Sequence, residues 1–286
     1  MTSPPAANTC LGSYTCPVPD VYLTIGDAQP AIIEELARVL ELRAADPQQQ
    51  AMRDAYFSDL GLEDDARAVE VGCGTGAVTR ALALRPETAS VVGVDPSPGF
   101  LTIASELADG IANLAFVVGD AKALPLEDGS VDAVVFHTTL CHVPEPNVAL
   151  GEAFRVLRTG GRLAVFDGDY ATATCASGDA DPLQACVEAM METHVYDRWF
   201  ARRLPKLVLD AGFELAQLRG HSYVEAPSSA GYMLALVDRG AAALTASERI
   251  GAETAEALRA EAQRRSDAGE FFGHVAYVSV VADKPA

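Results

Sequence analysis

The segment Val69-Glu70-Val71-Gly72-Cys73-Gly74-Thr75-Gly76-Ala77-Val78-Thr79-Arg80-Ala81-Leu82 constrains this chain more than any other stretch. An apolar run with β-branched residues ends in three glycines at two-residue spacing, and a helix-period pattern (Val78, Leu82) follows at once. That order reads as strand, tight turn and helix N-terminus. Glycines in such a turn permit positive φ and let a ligand lie directly on the main chain. Free N–H groups and the positive end of the helix dipole favour a negative ligand group there. The spacing alone does not choose the ligand, because Gly72-x-Gly74-x-x-Ala77 also satisfies the loose dinucleotide fingerprint. Glu70 narrows the choice. A carboxylate at the carboxyl end of the first strand is a poor neighbour for a pyrophosphate and suits a ligand that carries a cation, such as an amino-acid ammonium.

Val-Glu-Val-Gly-Cys-Gly-Thr-Gly closely resembles motif I of the class I S-adenosylmethionine-dependent methyltransferases. Three further matches follow in order. Val92-Gly93-Val94-Asp95 resembles the second strand with its ribose-binding acid, and Gly119-Asp120-Ala121 with Leu124-Pro125 resembles the adenine-side loop. Leu157-Arg158-Thr159-Gly160-Gly161-Arg162-Leu163 resembles the turn into the fifth strand. The likeness is closest to small-molecule methyltransferases of the ubiquinone/menaquinone-biosynthesis type. It implies an α/β fold, a seven-stranded, mostly parallel Rossmann-like sheet with an antiparallel last strand. A helical N-terminal extension and helical cap insertions would be added to that core.

The resemblance also implies a cofactor, S-adenosylmethionine, with S-adenosylhomocysteine as product and no metal. Glu70 inherits the contact to the methionine ammonium, and the backbone at Gly72, Cys73, Gly74 and Gly76 should line the methionyl moiety. Asp95 would accept both ribose hydroxyls, although helix capping alone could also place an acid there. Pro96, Ser97 and Phe100 would pack beside the nucleoside, and Asp120 and Ala121 would meet the adenine. Ordinary turn chemistry also favours an Asp at position 120.

Along the chain, residues 1–20 read as a flexible arm rich in Pro, Ser, Thr and Ala. Residues 21–61 read as a helical extension, with one helix from near Pro30 and a second from Asp46-Pro47 to Leu60, stopped by Gly61. In the resembled family such an extension closes over the cofactor or mediates assembly, so a homo-oligomer is an open expectation; a plain packing layer is the alternative. Residues 62–286 form the cofactor-binding domain, where strands at 68–71, 90–94, 114–118, 133–136 and 162–167 alternate with helices. Two insertions, about 170–203 and 225–270, interrupt it. The second is expected to hold a helix from Ser228 to Arg239 ending at Gly240, then another opened by a Thr245-x-x-Glu248 capping box. Met190, Met191, Trp199, Phe200, Tyr232 and Met233 are expected to form an apolar lid.

His137 follows the fourth strand, at the ligand-facing end of an open α/β sheet. It is the catalytic-base candidate, with a cofactor contact or a space-filling role as alternatives. Phe136-His137-Thr138-Thr139 lacks the Asn/Asp-Pro-Pro-Tyr/Phe signature of amino methyltransferases acting on nucleic-acid bases or Gln. Tyr22, His142, Tyr170, His194 and Trp199 are substrate-side candidates, with a core or capping role open for His142. Asp167 and Asp169 are further possible bases. The net charge, 21 minus 40 or −19, repels phosphate backbones and anionic lipid. Nucleic acid and membrane are therefore not expected partners. Six scattered cysteines without a C-x-x-C pair, and an N-terminus without a signal peptide's pattern, point to reduced thiols in the cytoplasm. Cys10 and Cys16 could be linked or reactive within the arm. The expected activity is methyl transfer to a carbon, oxygen or nitrogen of a small, fairly hydrophobic metabolite. A non-methylating reaction on the same cofactor, such as a cyclisation, and a non-catalytic binding protein are the alternatives.

Overall fold

The computed structural model describes residues 20–225 and 231–286, and its sheet places the glycine turn where the strand order reverses. β1 (Ala66–Val71) pairs in parallel with β2 (Thr88–Asp95) on one side and β4 (Val131–His137) on the other. β3 (Leu114–Val118) extends the sheet beyond β2, and β5 (Leu157–Thr174) beyond β4, both parallel. β7 (Gly273–Asp283) runs antiparallel between β5 and the edge strand β6 (Glu214–Glu225), giving the order β3-β2-β1-β4-β5-β7-β6. This is the seven-stranded, mostly parallel sheet that the resemblance implied. The crevice at the carboxyl ends of β1, β2 and β4 is the topological switch point where ligands bind in open α/β sheets.

Local chemistry explains most of the element ends. α1 (Pro30–Ala45) and α2 (Pro47–Leu60) each begin on a proline, and the Asp46 carboxylate accepts from the backbone of Gln48 (2.8 Å) and Gln49 (3.3 Å). Gly61 then ends α2 in the left-handed conformation, φ 53°. Helices α3 (Ala77–Ala83), α4 (Pro98–Leu107) and α5 (Pro146–Val156) are the sheet crossovers, and Ser97 caps α4. β4 is buried on both faces, as a parallel strand between helical layers must be.

The insertions differ from expectation. α6 (Leu183–His194) lies in the first insertion and α7 (Leu204–Asp210) just after it, but α8 (Tyr232–Ala246) runs straight through Gly240. A Cβ there would lie 1.8 Å from the Cys186 carbonyl oxygen, so this glycine lets α8 press against α6 and is not a helix stop. Thr245 is consequently helical and bonds back to Ala241, and no capping box forms; α9 (Ala252–Asp267) starts seven residues later. β5 is longer than the expected 162–167, because β7 pairs along it as far as Thr174. The expected arm with Cys10 and Cys16, and the Ser228 helix start, lie outside the described residues, except that Asp20, expected as the end of a flexible arm, is buried and accepts from the backbone of Tyr22 and Tyr196. Among the described residues no helix is long and apolar enough to cross a membrane.

Two clusters hold the layers together. The main core spans both sheet faces and takes in Tyr56, Phe57 and Leu60 of α2. A smaller one joins Ile25, Ile33, Leu36 and Ala37 to Phe100 of α4. The residues before β1 are thereby packed over the crevice.

Candidate active site

The carboxyl end of β1 is tied to β2 by main-chain bonds. Gly72 N (2.7 Å) and Cys73 N (3.1 Å) donate to the Val94 carbonyl. The Asp95 carboxylate accepts from Gly74 N (2.8 Å) and Ser97 N (2.9 Å), bracing the glycine turn against the start of α4. Gly72 sits at φ 71°, and a Cβ on it would lie 2.2 Å from the Thr139 methyl. Only glycine fits. Glu70, deeply buried, receives the Thr79 hydroxyl from α3. Burial, with the Asp95 charge adding to it, pushes the Glu70 carboxyl up to about 8, and burial lifts Asp95 to about 6. Neither carboxylate has an ion-pair partner among the described residues. The turn therefore carries anionic capacity that a cationic ligand with hydroxyl donors would satisfy.

A cavity of about 340 Å³ opens over this turn. Tyr22, Glu70, Gly72, Cys73, Gly74, Asp95, Pro96, Phe100, Asp120, Ala121, His137 and His142 all line it. Asp120 is exposed and uses one oxygen in an Asx turn to Lys122 N (2.8 Å). Gly76 and Ser97 stand just behind, at the N-termini of α3 and α4. Three expected substrate residues do not line the cavity. Tyr170 is buried in the core, edge-on to Tyr277. His194 ends α6 and its Nδ1 pairs with the Thr193 hydroxyl. Trp199 lies half-exposed under the Arg202 guanidinium, 4.4 Å from its ring centre. The expected apolar lid is absent too: Met190, Met191, Phe200, Tyr232 and Met233 are buried in the main core. The insertions spend their apolar side chains on packing α6 against α8 and the sheet. The outer wall comes from the residues before β1.

That wall holds residues the sequence did not single out. Arg43 on α1 reaches across to donate to the Thr138 hydroxyl (2.7 Å), and Thr138 itself holds a left-handed φ of 53°. For a β-branched residue this is strained backbone, of the kind that collects at ligand sites. Gln49 of α2 donates to the Tyr277 hydroxyl (3.2 Å), while its Oε1 is buried without a partner. Glu41 takes the Thr75 hydroxyl (2.6 Å) and the Arg80 guanidinium (2.7 Å), tying α1 to the glycine turn. Nothing in the local pattern of α1 or α2 marks these side chains; only the helical period at Arg43, seven residues after Leu36, hinted at a shared face.

The two histidines beside β4 differ in setting. His137 Nδ1 meets the Tyr56 hydroxyl (2.9 Å), and its ring stacks on Phe166 at 4.7 Å. Burial, helped by the Arg43 and Arg53 charges, drives its pKa well below 6.5. His142 Nδ1 instead lies 2.6 Å from the buried Asp20 carboxylate. Asp167 and Asp169 face away from the cavity. Asp167 accepts from Cys141 N (3.1 Å), and Asp169 pairs with Arg202 (2.8 Å). Among the described residues no group of three or more His, Cys, Asp or Glu side chains is placed to hold a metal ion.

The residues present fit S-adenosylmethionine. The bare turn at Gly72 and Gly74 leaves room against the main chain, and Glu70 offers a buried carboxyl that can ionise to receive an ammonium. Asp95 retains lone pairs for hydroxyl donors after its two backbone bonds. Comparison with known proteins agrees. Residues 69–165 match the methyltransferase domain family. An uncharacterised 37.1 kDa protein of transposon TN4556 from Streptomyces fradiae is 31% identical over 187 residues, 65% of this chain and 54% of that one. Demethylmenaquinone methyltransferase of Staphylococcus aureus is 37% identical over 127 residues, 44% of this chain and 52% of that one. The chain spans about half the length of these curated relatives. A [4+2]-cyclase crystal structure shares the fold, with TM-score 0.55 and 22% identity over 83% of this chain and 82% of that one. The sheet order, the glycine turn and the match over residues 69–165 together identify a methyltransferase domain in this chain, similar to the class I S-adenosylmethionine-dependent methyltransferases.

Proposed function

We propose that this chain transfers a methyl group from S-adenosylmethionine to a small, fairly hydrophobic metabolite. One observation carries the reading: a single cavity is lined both by the glycine turn with the buried Glu70 and Asp95 and by Tyr22, Leu23, Arg43, Gln49, His137 and His142. The turn and its carboxylates suit the cofactor, and an acceptor would lie against the other group. Its walls mix apolar side chains with a few fixed polar groups, the usual make-up of a small-molecule site.

When bound, the cofactor supplies an activated methyl group with a neutral thioether as leaving group. The residues need only align the partners, keep water out and handle one proton. Glu70 would hold the ammonium, Asp95 the ribose hydroxyls and the Asp120–Ala121 turn the adenine edge. Residues 21–61 would form the outer wall, and 62–286, with insertions at about 170–203 and 225–270, the cofactor-binding domain. Incubating the protein with S-adenosylmethionine and candidate metabolite pools tests the reading. A product heavier by one methylene, with S-adenosylhomocysteine formed in equal amount, supports it. The fold-level likeness to a cyclase gives the alternative: an altered product of unchanged mass and no S-adenosylhomocysteine would favour it.

A further inference from the structure

We propose that His142, oriented by Asp20, is the base that takes the proton from the methyl acceptor, and that the acceptor is a hydroxyl compound such as a phenol or enol. This rests on the methyltransferase reading above. The Asp20 carboxylate is fixed by three groups: the backbone N–H of Tyr22 (2.9 Å), that of Tyr196 (2.8 Å) and His142 Nδ1 (2.6 Å). Its side chain is fully buried, while the imidazole reaches the cavity. An Nδ1–H donated to Asp20 leaves Nε2 as the basic nitrogen, and Nε2 has no partner among the described residues. Tyr22 covers the ring at 4.5 Å.

The short turn Leu140–His142 that carries the imidazole is anchored just before its start and at its middle residue. The Thr139 hydroxyl bonds to the Val71 carbonyl (3.2 Å) at the glycine turn, and Cys141 N bonds to the buried Asp167. A base held by a buried carboxylate, on a turn fastened to the cofactor strand, is the arrangement that proton-abstracting sites share. His137 has no such carboxylate, since its Nδ1 is taken by Tyr56. The charged or titratable groups around His142 are Asp20, Tyr22, Asp167 and His194.

The chemistry of the wall selects the acceptor class. Arg43 lines the cavity with no carboxylate partner among the described residues, its guanidinium bonded to the Thr138 hydroxyl, and it repels an ammonium, the form an amine takes near neutrality. The same charge favours an oxygen that becomes negative as its proton leaves. Gln49 Oε1, buried and unpartnered, would accept from a second hydroxyl. In the step, the acceptor O–H bond breaks and the proton passes to His142 Nε2. The oxygen pair forms a bond to the methyl carbon as the carbon–sulfur bond breaks, and that bond's electrons stay on sulfur.

Two readouts on the full chain test this. In the protein saturated with S-adenosylhomocysteine, histidine side-chain NMR should show His142 as the Nδ1–H tautomer, a preference that Asp20→Asn abolishes. In turnover with catechol, phenol and 4-nitrophenol, His142→Gln should lower kcat about 10²–10⁴-fold. KM and S-adenosylhomocysteine affinity should stay within about twofold. The loss should be smallest for 4-nitrophenol, which ionises without help. Three results would overturn the inference: an Nε2–H tautomer in the wild type, a His142→Gln variant that methylates all three phenols at wild-type rate or loses all three equally, or a wild type that binds S-adenosylhomocysteine yet methylates none of them. A chain that binds no S-adenosylhomocysteine overturns the methyltransferase reading itself, and this inference with it.

Discussion

Replacing Glu70 with glutamine should uncouple cofactor binding from protons. With its carboxyl at about 8, chiefly through burial, Glu70 is protonated in roughly nine molecules out of ten at pH 7. Receiving an ammonium requires the carboxylate, so ionising it at pH 7 costs about 1.4 kcal/mol, or tenfold in affinity. Binding at pH 7 should therefore release close to one proton. The ligand's own α-amino group must also be protonated to bind, so once Glu70 is already ionised in the free protein a further rise in pH turns the linkage to net proton uptake. Affinity should pass through a maximum between the two titrations. Calorimetry of S-adenosylhomocysteine in buffers of different ionisation enthalpy reads the proton count directly. Glu70→Gln should show only the amine's uptake at every pH and bind at least tenfold more weakly at pH 8. It should also fold more stably there. A carboxyl raised from 4.5 to about 8 on folding adds stability that is complete below 4.5 and is lost as pH rises through 8, and glutamine keeps it. A wild type that releases no proton at pH 7, or a variant with the same linkage, would refute this reasoning.

Other substitutions probe the turn and its supports. Gly72→Ala combines a left-handed φ with a 2.2 Å clash against Thr139, so it should cost about 2–4 kcal/mol in thermal or denaturant unfolding and abolish measurable cofactor binding. Gly110→Ala, with φ 83° and open space around it, should cost about 1 kcal/mol and leave binding intact. Glu41→Gln weakens the tie between α1, Thr75 and Arg80, and should speed S-adenosylhomocysteine release several-fold in stopped-flow displacement with little change in melting temperature. Gly240→Ala drives a methyl into the Cys186 carbonyl and should destabilise the fold by about 3 kcal/mol or more, seen as a shifted urea midpoint.

Much of this architecture was legible residue by residue where the governing chemistry is local. Asp46-Pro47 and Gly61 bounded α2 because caps and left-handed ends depend on one or two side chains. The β1–turn–α3 unit was legible for the same reason. Gly240 was misread because its role is set by α6, more than fifty positions away in the chain, and not by its neighbours. The methionines of the insertions were expected in an apolar lid, but composition cannot say what an apolar face packs against, and they face the core instead of the cavity. Arg43, Gln49 and Asp20 escaped notice because their partners (Thr138, Tyr277 and His142) come from strands and turns that only the sheet topology brings within reach.

A crystal structure of the protein with S-adenosylhomocysteine tests the central claim most directly. The account predicts the amino group beside Glu70, the ribose hydroxyls on Asp95 and the adenine at Asp120–Ala121, with open volume between the sulfur and His142. A phosphate-bearing nucleotide preferred at the Gly72–Gly76 turn, or the same product seated elsewhere on the molecule, would contradict it.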